Sequence, residues 1–417
     1  MDTMESVIKN AEYCLNCKNK PCSKACPVNT DIPKIMEFIK NNKFEEAYKT
    51  LMENNIFSSI CGLICPQELQ CEGSCIRRIK GDSVNIGRIE VWINDYAREN
   101  GLEYIIKGKV DNGIKVAVIG SGPASLSCAY ELSKEGYRVT IFEKEKTLGG
   151  ILRYGIPNYR LNKGNLDDIV NRIIGLGMDV KINCEFGKDF FLKDLRKEGF
   201  EKVFLGIGAG KSLKYKLSEE EVTNVFESQS FLKDFNNDTI NNELGRVVVI
   251  GGGDVAIDCA RTAIKSGAKE VSIVYRRAQE NMPARKIDIE MAIKEGVKII
   301  ANTKVVKALG DMQNKLEKVE CVKTELIEDK LVEIEKSNYY LDVDSVIFAI
   351  GSQISNELLE KEGFEIENGI IKIDKNNETN IKDVYAGGDI IDRRSTVCKA
   401  IASGKKCAYN IMNKRKV

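Results

Sequence analysis

The sequence predicts an α/β fold, with a helical, cysteine-rich N-terminal domain followed by two doubly wound parallel-sheet domains, the second inserted in the first. Three observations predict it. Eight of the fourteen cysteines crowd between Cys14 and Cys75. A buried strand, a glycine turn and a helix occur in succession twice, at KVAVIGSGPAS from Lys115 and at RVVVIGGGDVAIDCA from Arg246. The 417 residues suffice for two or three compact units at roughly 150 residues each.

Composition excludes several classes. Lys plus Arg is 63 and Asp plus Glu is 62, a net charge of +1, so no field over the whole surface draws in a nucleic acid. Hydrophobic residues are 43% and prolines only seven, the balance of a folded chain. No apolar run reaches the ~18 residues of a membrane span. The opening MDTMESVIKN lacks the basic and apolar regions of a secretory signal, and the cytoplasm is the expected compartment. With no histidine in the chain, imidazole acid–base chemistry, Ser-His-Asp triads and His-ligated metals are excluded.

The first domain is expected over residues 1–110. Within IPKIMEFIKNNKFEEAYKTLME, Ile35, Phe38 and Ile39, then Phe44, Ala47, Tyr48 and Leu51, recur at helical spacing. Cysteine loops alternate with such helices. The cysteines run Cys14-x2-Cys17-x4-Cys22-x3-Cys26 and Cys61-x3-Cys65-x5-Cys71-x3-Cys75, and proline follows Cys26 and Cys65. Close thiolates with a Cys-Pro at the end of a run suit iron-sulfur clusters, so two 4Fe-4S clusters are the leading expectation. Two structural zincs use similar spacings, and a disulfide framework would need an oxidising compartment.

The second domain is expected over 111–240 and 346–417. Its turn reads Gly120-x-Gly122-x-x-Ser125, with Pro123 and Ala124 opening the helix. Gly120 permits the tight turn and Gly122 lets a pyrophosphate approach the helix N-terminus, a Rossmann-like arrangement. Ser125 replaces the usual third glycine, at some cost in helix–strand closeness. Glu143 ends the second strand, RVTIFEK, where a carboxylate can accept from ribose hydroxyls, and Lys144 follows it. The alternative for Glu143 is an ordinary surface acid. SVIFAIG, DVYAGGD and a helix from about Thr396 are expected to return to this domain as its late elements.

The third domain is expected over 241–345. Gly251, Gly252 and Gly253 form its turn, and Asp254 and Val255 open its helix. Its second strand ends in Tyr275-Arg276-Arg277, where the first unit has an acid. Arginine forks welcome an adenosine 2'-phosphate, so NADP is expected over NAD, unless one arginine is merely solvated. Ala349, Ile350 and Gly351 complete the candidate NADPH set.

These segments together resemble the small subunit of NADPH-dependent glutamate synthase over essentially the whole chain. The likeness extends to the flavoprotein part of dihydropyrimidine dehydrogenase and to the large subunit of the bifurcating ferredoxin:NADP transhydrogenase. It is carried by the paired cysteine runs, GSGPAS, FEKEKTLGGILRYGIPNYRL, GGGDVAIDCAR, YRRAQENMPAR and YAGGDIID. The resemblance implies FAD in the first nucleotide unit, with Gly149 and Gly150 near the flavin, Arg160 in GIPNYRL, Gly388 and Asp389 near the ribityl chain, and Thr396 and Val397 approaching the ring. It implies NADPH at Gly252, Gly253 and Asp254, with Arg276 and Arg277 at the 2'-phosphate and Arg285 of MPAR as a further candidate. It also implies crossed cluster ligation. Cys14, Cys17, Cys22 and Cys75 would hold one cluster, and Cys26, Cys65, Cys71 and Glu90 the other, with Cys61 left as a non-ligand. The alternative for Glu90 is a helix-surface acid. Arg393 and Arg394 depart from the small residues that many members carry close to the flavin.

NADPH carries two electrons as hydride and a cluster accepts one at a time, so a flavin is the converter between them. The expected function is therefore an NADPH-dependent FAD and iron-sulfur oxidoreductase subunit that feeds a larger catalytic subunit, which the resemblance implies is foremost a glutamate synthase large subunit. A ferredoxin:NADP transhydrogenase subunit, with ferredoxin as partner, and a dihydropyrimidine dehydrogenase subunit are the alternatives. A different class, a non-catalytic nucleotide-binding redox sensor or zinc-stabilised scaffold, would show no NADPH-driven turnover with a dye. The later cysteines have no C-x2-C or C-x4-C spacing, which disfavours disulfide reduction.

Overall fold

The computed structural model describes residues 3–106, 108–218, 222–240, 243–328, 330–354, 356–393 and 395–414. The chain forms two compact units. One comprises Met1–Arg153, Asn158–Gly208 and Asn356–Val417, and the other Tyr154–Pro157 and Ala209–Ser355.

The first unit begins with short helices. The helical stretch from Ile32 divides into Ile32–Lys40 and Phe44–Asn54, because Asn42 takes a left-handed φ of 57° between them. Ile35, Ile39, Ala47, Tyr48 and Leu51 are buried at the spacing that the sequence shows. Helices Met4–Glu12, Pro21–Ala25, Ser58–Ile64 and Ile86–Glu99 are the other α-helices of this region among the described residues.

A five-stranded, all-parallel sheet follows in the same unit. Its order is Val384–Ala386, Lys202–Leu205, Lys115–Ile119, Arg138–Phe142 and Asp179–Lys181. Val116 to Ile119 are all buried, as a strand covered on both faces requires. Helix Pro123–Lys134 packs closely against helix Val397–Asn413. A Cβ on Gly404 would stand 2.0 Å from the Ala124 carbonyl oxygen, so only glycine permits that approach.

The second unit has its own five-stranded parallel sheet, ordered Val225–Glu227, Ser345–Phe348, Arg246–Ile250, Glu270–Val274 and Lys298–Ile300. An antiparallel sheet of Thr303–Gly310, Leu316–Ile327, Lys330–Glu333 and Tyr339–Asp342 fills the interval before the last strand.

Two expectations are corrected here. Ser345–Phe348, the strand of SVIFAIG, does not return to the first sheet. It is paired on both sides within the second, by Val225–Glu227 and Arg246–Ile250, and all four residues are buried there. Arg246 anchors its entry: its Nε and Nη2 each lie 3.0 Å from an Asp344 carboxylate oxygen. The second unit also begins earlier than residue 241. Phe231 and Leu232 of helix Ser228–Asn236 pack in one core with Val247, Val249 and Ile257. Among the described residues, no helix is long and apolar enough to cross a membrane.

Candidate functional site

The first nucleotide turn lies at the C-terminal end of Lys115–Ile119, where the helix dipole and unpaired N–H groups of Pro123–Lys134 favour an anion. Gly120 has a φ of 87°, and a Cβ there would meet the Gly206 carbonyl oxygen at 2.6 Å. A Cβ on Gly122 would meet nothing within 4 Å, which leaves the approach to the helix end open. Gly150, with a φ of 52°, packs against the Gly122 backbone.

Ser125 is fully buried, and the missing third glycine is compensated from the strand side. Its hydroxyl donates toward the Gly206 carbonyl at 3.3 Å, and a Cβ on Gly206 would stand 2.2 Å from that oxygen. Glu143 is buried, not a surface acid. Its carboxylate accepts from the Ser121 hydroxyl and, at 2.9 Å, from the Glu145 N–H. Ser121 in turn accepts from the Gly149 N–H at 2.9 Å, so one side chain ties the turn, the strand-end acid and the Gly149–Gly150 pair together. Ser121 carries no signal of its own in the sequence, because it occupies the variable position between two glycines. Lys144 is exposed and Arg160 half-buried.

The return segment brings Gly388, Asp389, Thr396 and Val397 into the same unit. The Gly388 N–H donates to Ser403 Oγ at 2.8 Å. Burial pushes the Asp389 carboxyl up, opposed by a hydrogen bond with Ser395 and reinforced by Asp392. Thr396 caps helix Val397–Asn413. Arg393 donates to the Gly369 carbonyl at 3.4 Å, and Arg394 lies outside the described residues.

The second nucleotide turn repeats the geometry in the other unit. A Cβ on Gly251 would reach the Ala349 carbonyl oxygen at 2.2 Å, and one on Gly252 the Tyr275 ring at 2.5 Å. Gly253 faces space, with its nearest neighbour Pro283 Cγ at 4.0 Å. The MPAR segment is laid over this turn: Ala284 N–H donates to the Gly252 carbonyl at 3.2 Å and Arg285 N–H to Asp254 Oδ1 at 3.1 Å. Arg276 and Arg277 are exposed just beyond the end of Glu270–Val274. The Arg285 side chain is largely buried instead, with Nη1 3.9 Å from Asp288 Oδ2. Val255 and Ile350 are exposed near the turn, and Gly351 has a φ of 118°.

Two thiol groups occupy the N-terminal region. Cys14, Cys17, Cys22 and Cys75 line one cavity whose other walls include Leu15, Ile32 and Ile76. Left-handed Asn16 and Lys20 bend the loops between them. Burial pushes the Cys22 thiol up to about 11, and nearby Cys14 and Cys75 add to it. Four thiols around one largely apolar cavity are a donor set that would suit a polynuclear cluster, whose irons would supply the charge that buried thiolates require.

The second group is more deeply enclosed. Glu90 is 8% exposed on helix Ile86–Glu99, so it is not a surface acid. Burial, then Glu72 and Cys398, push its carboxyl up to about 8. Cys26 and Cys71 both feel the Glu90 charge, and burial raises both thiols. The Cys65 thiol hydrogen-bonds with Cys398 and Cys61, and these contacts, with burial, push it well up. Cys398 itself is held down at about 6 by its hydrogen bonds with Cys65, Thr396 and Gln70, against the burial that raises it. Neither Cys398 nor Gln70 was visible as a site residue. They lie far apart in sequence, and no short motif contains both.

Comparison with known proteins accords with this geometry. Residues 114–404 match the pyridine nucleotide-disulphide oxidoreductase family, and residues 1–102 match the family described as dihydropyrimidine dehydrogenase domain II, 4Fe-4S cluster. The chain is 34% identical over 426 residues to the glutamate synthase [NADPH] small chain of Escherichia coli (strain K12), covering 97% of this chain and 90% of that one. It is 33% identical to the NAD-dependent dihydropyrimidine dehydrogenase subunit PreT of Escherichia coli O157:H7, covering 97% and 93%. It is 31% identical to the NADP(+)-dependent formate dehydrogenase subunit beta of Moorella thermoacetica, covering 94% of this chain and 59% of that one. Several of these relatives are thus subunits of larger oxidoreductases. In fold alone, the chain resembles Mycobacterium tuberculosis FprA in complex with NADPH, with a TM-score of 0.61 and 17% identity over 73% of this chain and 85% of that one. It also resembles T. acidophilum thioredoxin reductase, with a TM-score of 0.54 and 18% identity over 72% and 98%. The chain is an oxidoreductase that carries an FAD/NADP-binding domain and a 4Fe-4S domain, and it belongs to the pyridine nucleotide-disulphide oxidoreductase family alongside the glutamate synthase small chains.

Proposed function

We propose that this chain is the NADPH-oxidising small subunit of a cytoplasmic glutamate synthase, delivering electrons through two 4Fe-4S clusters to a larger subunit. The observation that carries the proposal is the pairing of unlike nucleotide turns with two thiol groups in one chain. One turn ends in the buried carboxylate of Glu143, suited to a ribose, and the other in exposed Arg276 and Arg277, suited to a 2'-phosphate.

When bound, FAD accepts a hydride from NADPH and releases its electrons singly, which the clusters can take. Gly120, Gly122, Pro123, Ala124 and Ser125 would seat the FAD pyrophosphate, with Glu143 on its ribose. Gly149, Gly150, Arg160, Asp389, Thr396 and Val397 would line the flavin. Gly251 to Val255 would seat the NADPH pyrophosphate. Cys14, Cys17, Cys22 and Cys75 would hold one cluster, and Cys26, Cys65, Cys71 and Glu90 the other. No imidazole is needed, because hydride transfer between bound cofactors asks only for orientation and exclusion of water.

The first thiol cavity is the candidate exit toward the partner. Leu15 and Ile76 line it and are 49% and 42% exposed, and Ile79 of the same short helix as Ile76 is 74% exposed. A partner that covers these residues would bring its own acceptor close to that cluster.

The experiment is reconstitution of the chain with a glutamate synthase large subunit. NADPH oxidation should then depend on glutamine plus 2-oxoglutarate, and not proceed with ferredoxin plus NAD or with uracil and their respective subunits. Full substrate turnover by the isolated chain, or coupling only to one of the other two partners, overturns the proposal.

A further inference from the structure

We propose that Thr324, on the antiparallel sheet of the second unit, is a positioning residue that sets the preference for NADPH by fixing the backbone of Arg276 and Arg277. The inference rests on the assignment of those two arginines to the 2'-phosphate. Both are exposed, in a bend beyond the end of strand Glu270–Val274. Their carbonyls are held from below. That of Arg277 accepts from the Asn302 N–H at 2.9 Å, and that of Arg276 accepts from the Thr324 hydroxyl at 2.9 Å. The Thr324 N–H in turn donates to the Asn302 carbonyl at 2.9 Å, which closes a ring of three hydrogen bonds around the bend. Asn302, with a left-handed φ of 50°, turns the chain from strand Lys298–Ile300 into strand Thr303–Gly310 at this point.

Of the three bonds, the one from Thr324 to Arg276 alone is made by a side chain. Thr324 is 2% exposed and is the last buried residue of strand Leu316–Ile327. A buried hydroxyl is costly unless it is hydrogen-bonded, and valine has the same branched shape without that cost. The use of the hydroxyl here is the Arg276 carbonyl. Arginine meets phosphate through a planar fork, so the pairing depends on where the fork is held. With both carbonyls engaged, the bend is ordered by folding and not by the nucleotide, which favours binding. NADH has no 2'-phosphate and gains nothing from that placement. Thr324 lies 48 residues beyond Arg276, on a sheet outside both glycine-turn motifs, so no spacing in the sequence links the two.

The test uses the full chain with its flavin, as wild type, Thr324→Val and Thr324→Ser. Flavin reduction by NADPH and by NADH is followed in stopped flow, and binding of adenosine 2',5'-bisphosphate by calorimetry. Thr324→Val is expected to raise the NADPH concentration for half-maximal reduction about tenfold, the effect of one lost hydrogen bond, with the limiting rate and the NADH kinetics unchanged. The bisphosphate should weaken by the same factor. Thr324→Ser, which keeps the hydroxyl, returns both values toward wild type. Thr324→Ala carries the same measurements if Thr324→Val does not fold. Wild-type selectivity and bisphosphate affinity without the hydroxyl overturn the proposal. Equal losses with NADPH and NADH also overturn it, since Thr324 would then serve only the fold, and so does a Thr324→Ser protein as impaired as Thr324→Val. Wild type that is reduced faster by NADH, or bisphosphate binding indifferent to replacement of Arg276 and Arg277 by Ala, overturns the arginine assignment instead, so the two failures are distinguishable.

Discussion

The Ser121 hydroxyl donates to the buried carboxylate of Glu143, joining the first glycine turn to the end of the second strand. A buried carboxylate stripped of a donor loses about 2 kcal/mol, the usual value for hydrogen bonds to charged groups. Ser121→Ala is expected to lower the melting temperature and to weaken FAD retention, since Gly149 loses its acceptor in the same substitution. Thermal denaturation and flavin fluorescence during dialysis check both effects. Unaltered flavin retention would show that the Ser121 bridge serves only the fold.

The proposed assignment of Cys75 and Glu90 to two separate clusters predicts discrete losses. Cys75→Ser opens the quartet around the first cavity and should remove about four irons per chain, the content of one 4Fe-4S cluster, while the EPR signal of the other persists. Glu90→Ala should instead alter the potential or relaxation of the second cluster alone. An eight-iron Cys75→Ser protein, or a Glu90→Ala protein with both signals as in wild type, refutes the respective assignment.

Arg276 and Arg277 predict nucleotide choice. Replacing both with Ala should erase a preference for NADPH over NADH of about 2 kcal/mol, roughly thirtyfold in kcat/KM, given charge-assisted pairing with phosphate. Stopped-flow reduction of the flavin by each nucleotide measures it. The assignment fails if wild type reduces faster with NADH.

Arg246 and Asp344 predict an acid-sensitive fold in the second unit. The Arg246 side chain, followed by its N–H, holds the Asp344 carboxyl down at about 2. A carboxyl lowered in the folded state stabilises above its unfolded value and ceases to do so as pH falls through about 2. Asp344→Asn should therefore cost about 1 kcal/mol at neutral pH, discounted for partial solvent exposure, and nothing at the acid limit. Denaturant melts at several pH values would show the difference shrinking below pH 4, roughly the unfolded value.

Much of this architecture is legible locally. Strand, glycine turn and helix are encoded in consecutive residues, so both nucleotide turns and their strand-end residues Glu143, Arg276 and Arg277 can be found without a structure. Strand order is different, because it depends on pairing between distant segments. Ser345–Phe348 is equally apolar whichever sheet receives it, and only its pairing with Val225–Glu227 and Arg246–Ile250, together with the Asp344–Arg246 contact at its start, shows where it belongs. Burial of a charged side chain is also invisible locally. Glu90 and Glu143 look like ordinary acids until neighbours from other elements close over them. Cys398 combines both difficulties, since its partners Gln70 and Cys65 lie in another part of the chain.

The glycine contact between Gly404 and Ala124 carries a consequence for biosynthesis. A ribosome releases the chain from its first residue onward, so Cys14 to Cys75 emerge early and are free to meet iron and sulfide while translation continues. Helix Val397–Asn413 emerges late, and until Gly404 docks on Ala124 helix Pro123–Lys134 lacks one of its packing faces. Metal loading can thus begin on a nascent chain, whereas the helix that opens the first nucleotide turn is fully packed only after Gly404 has been made.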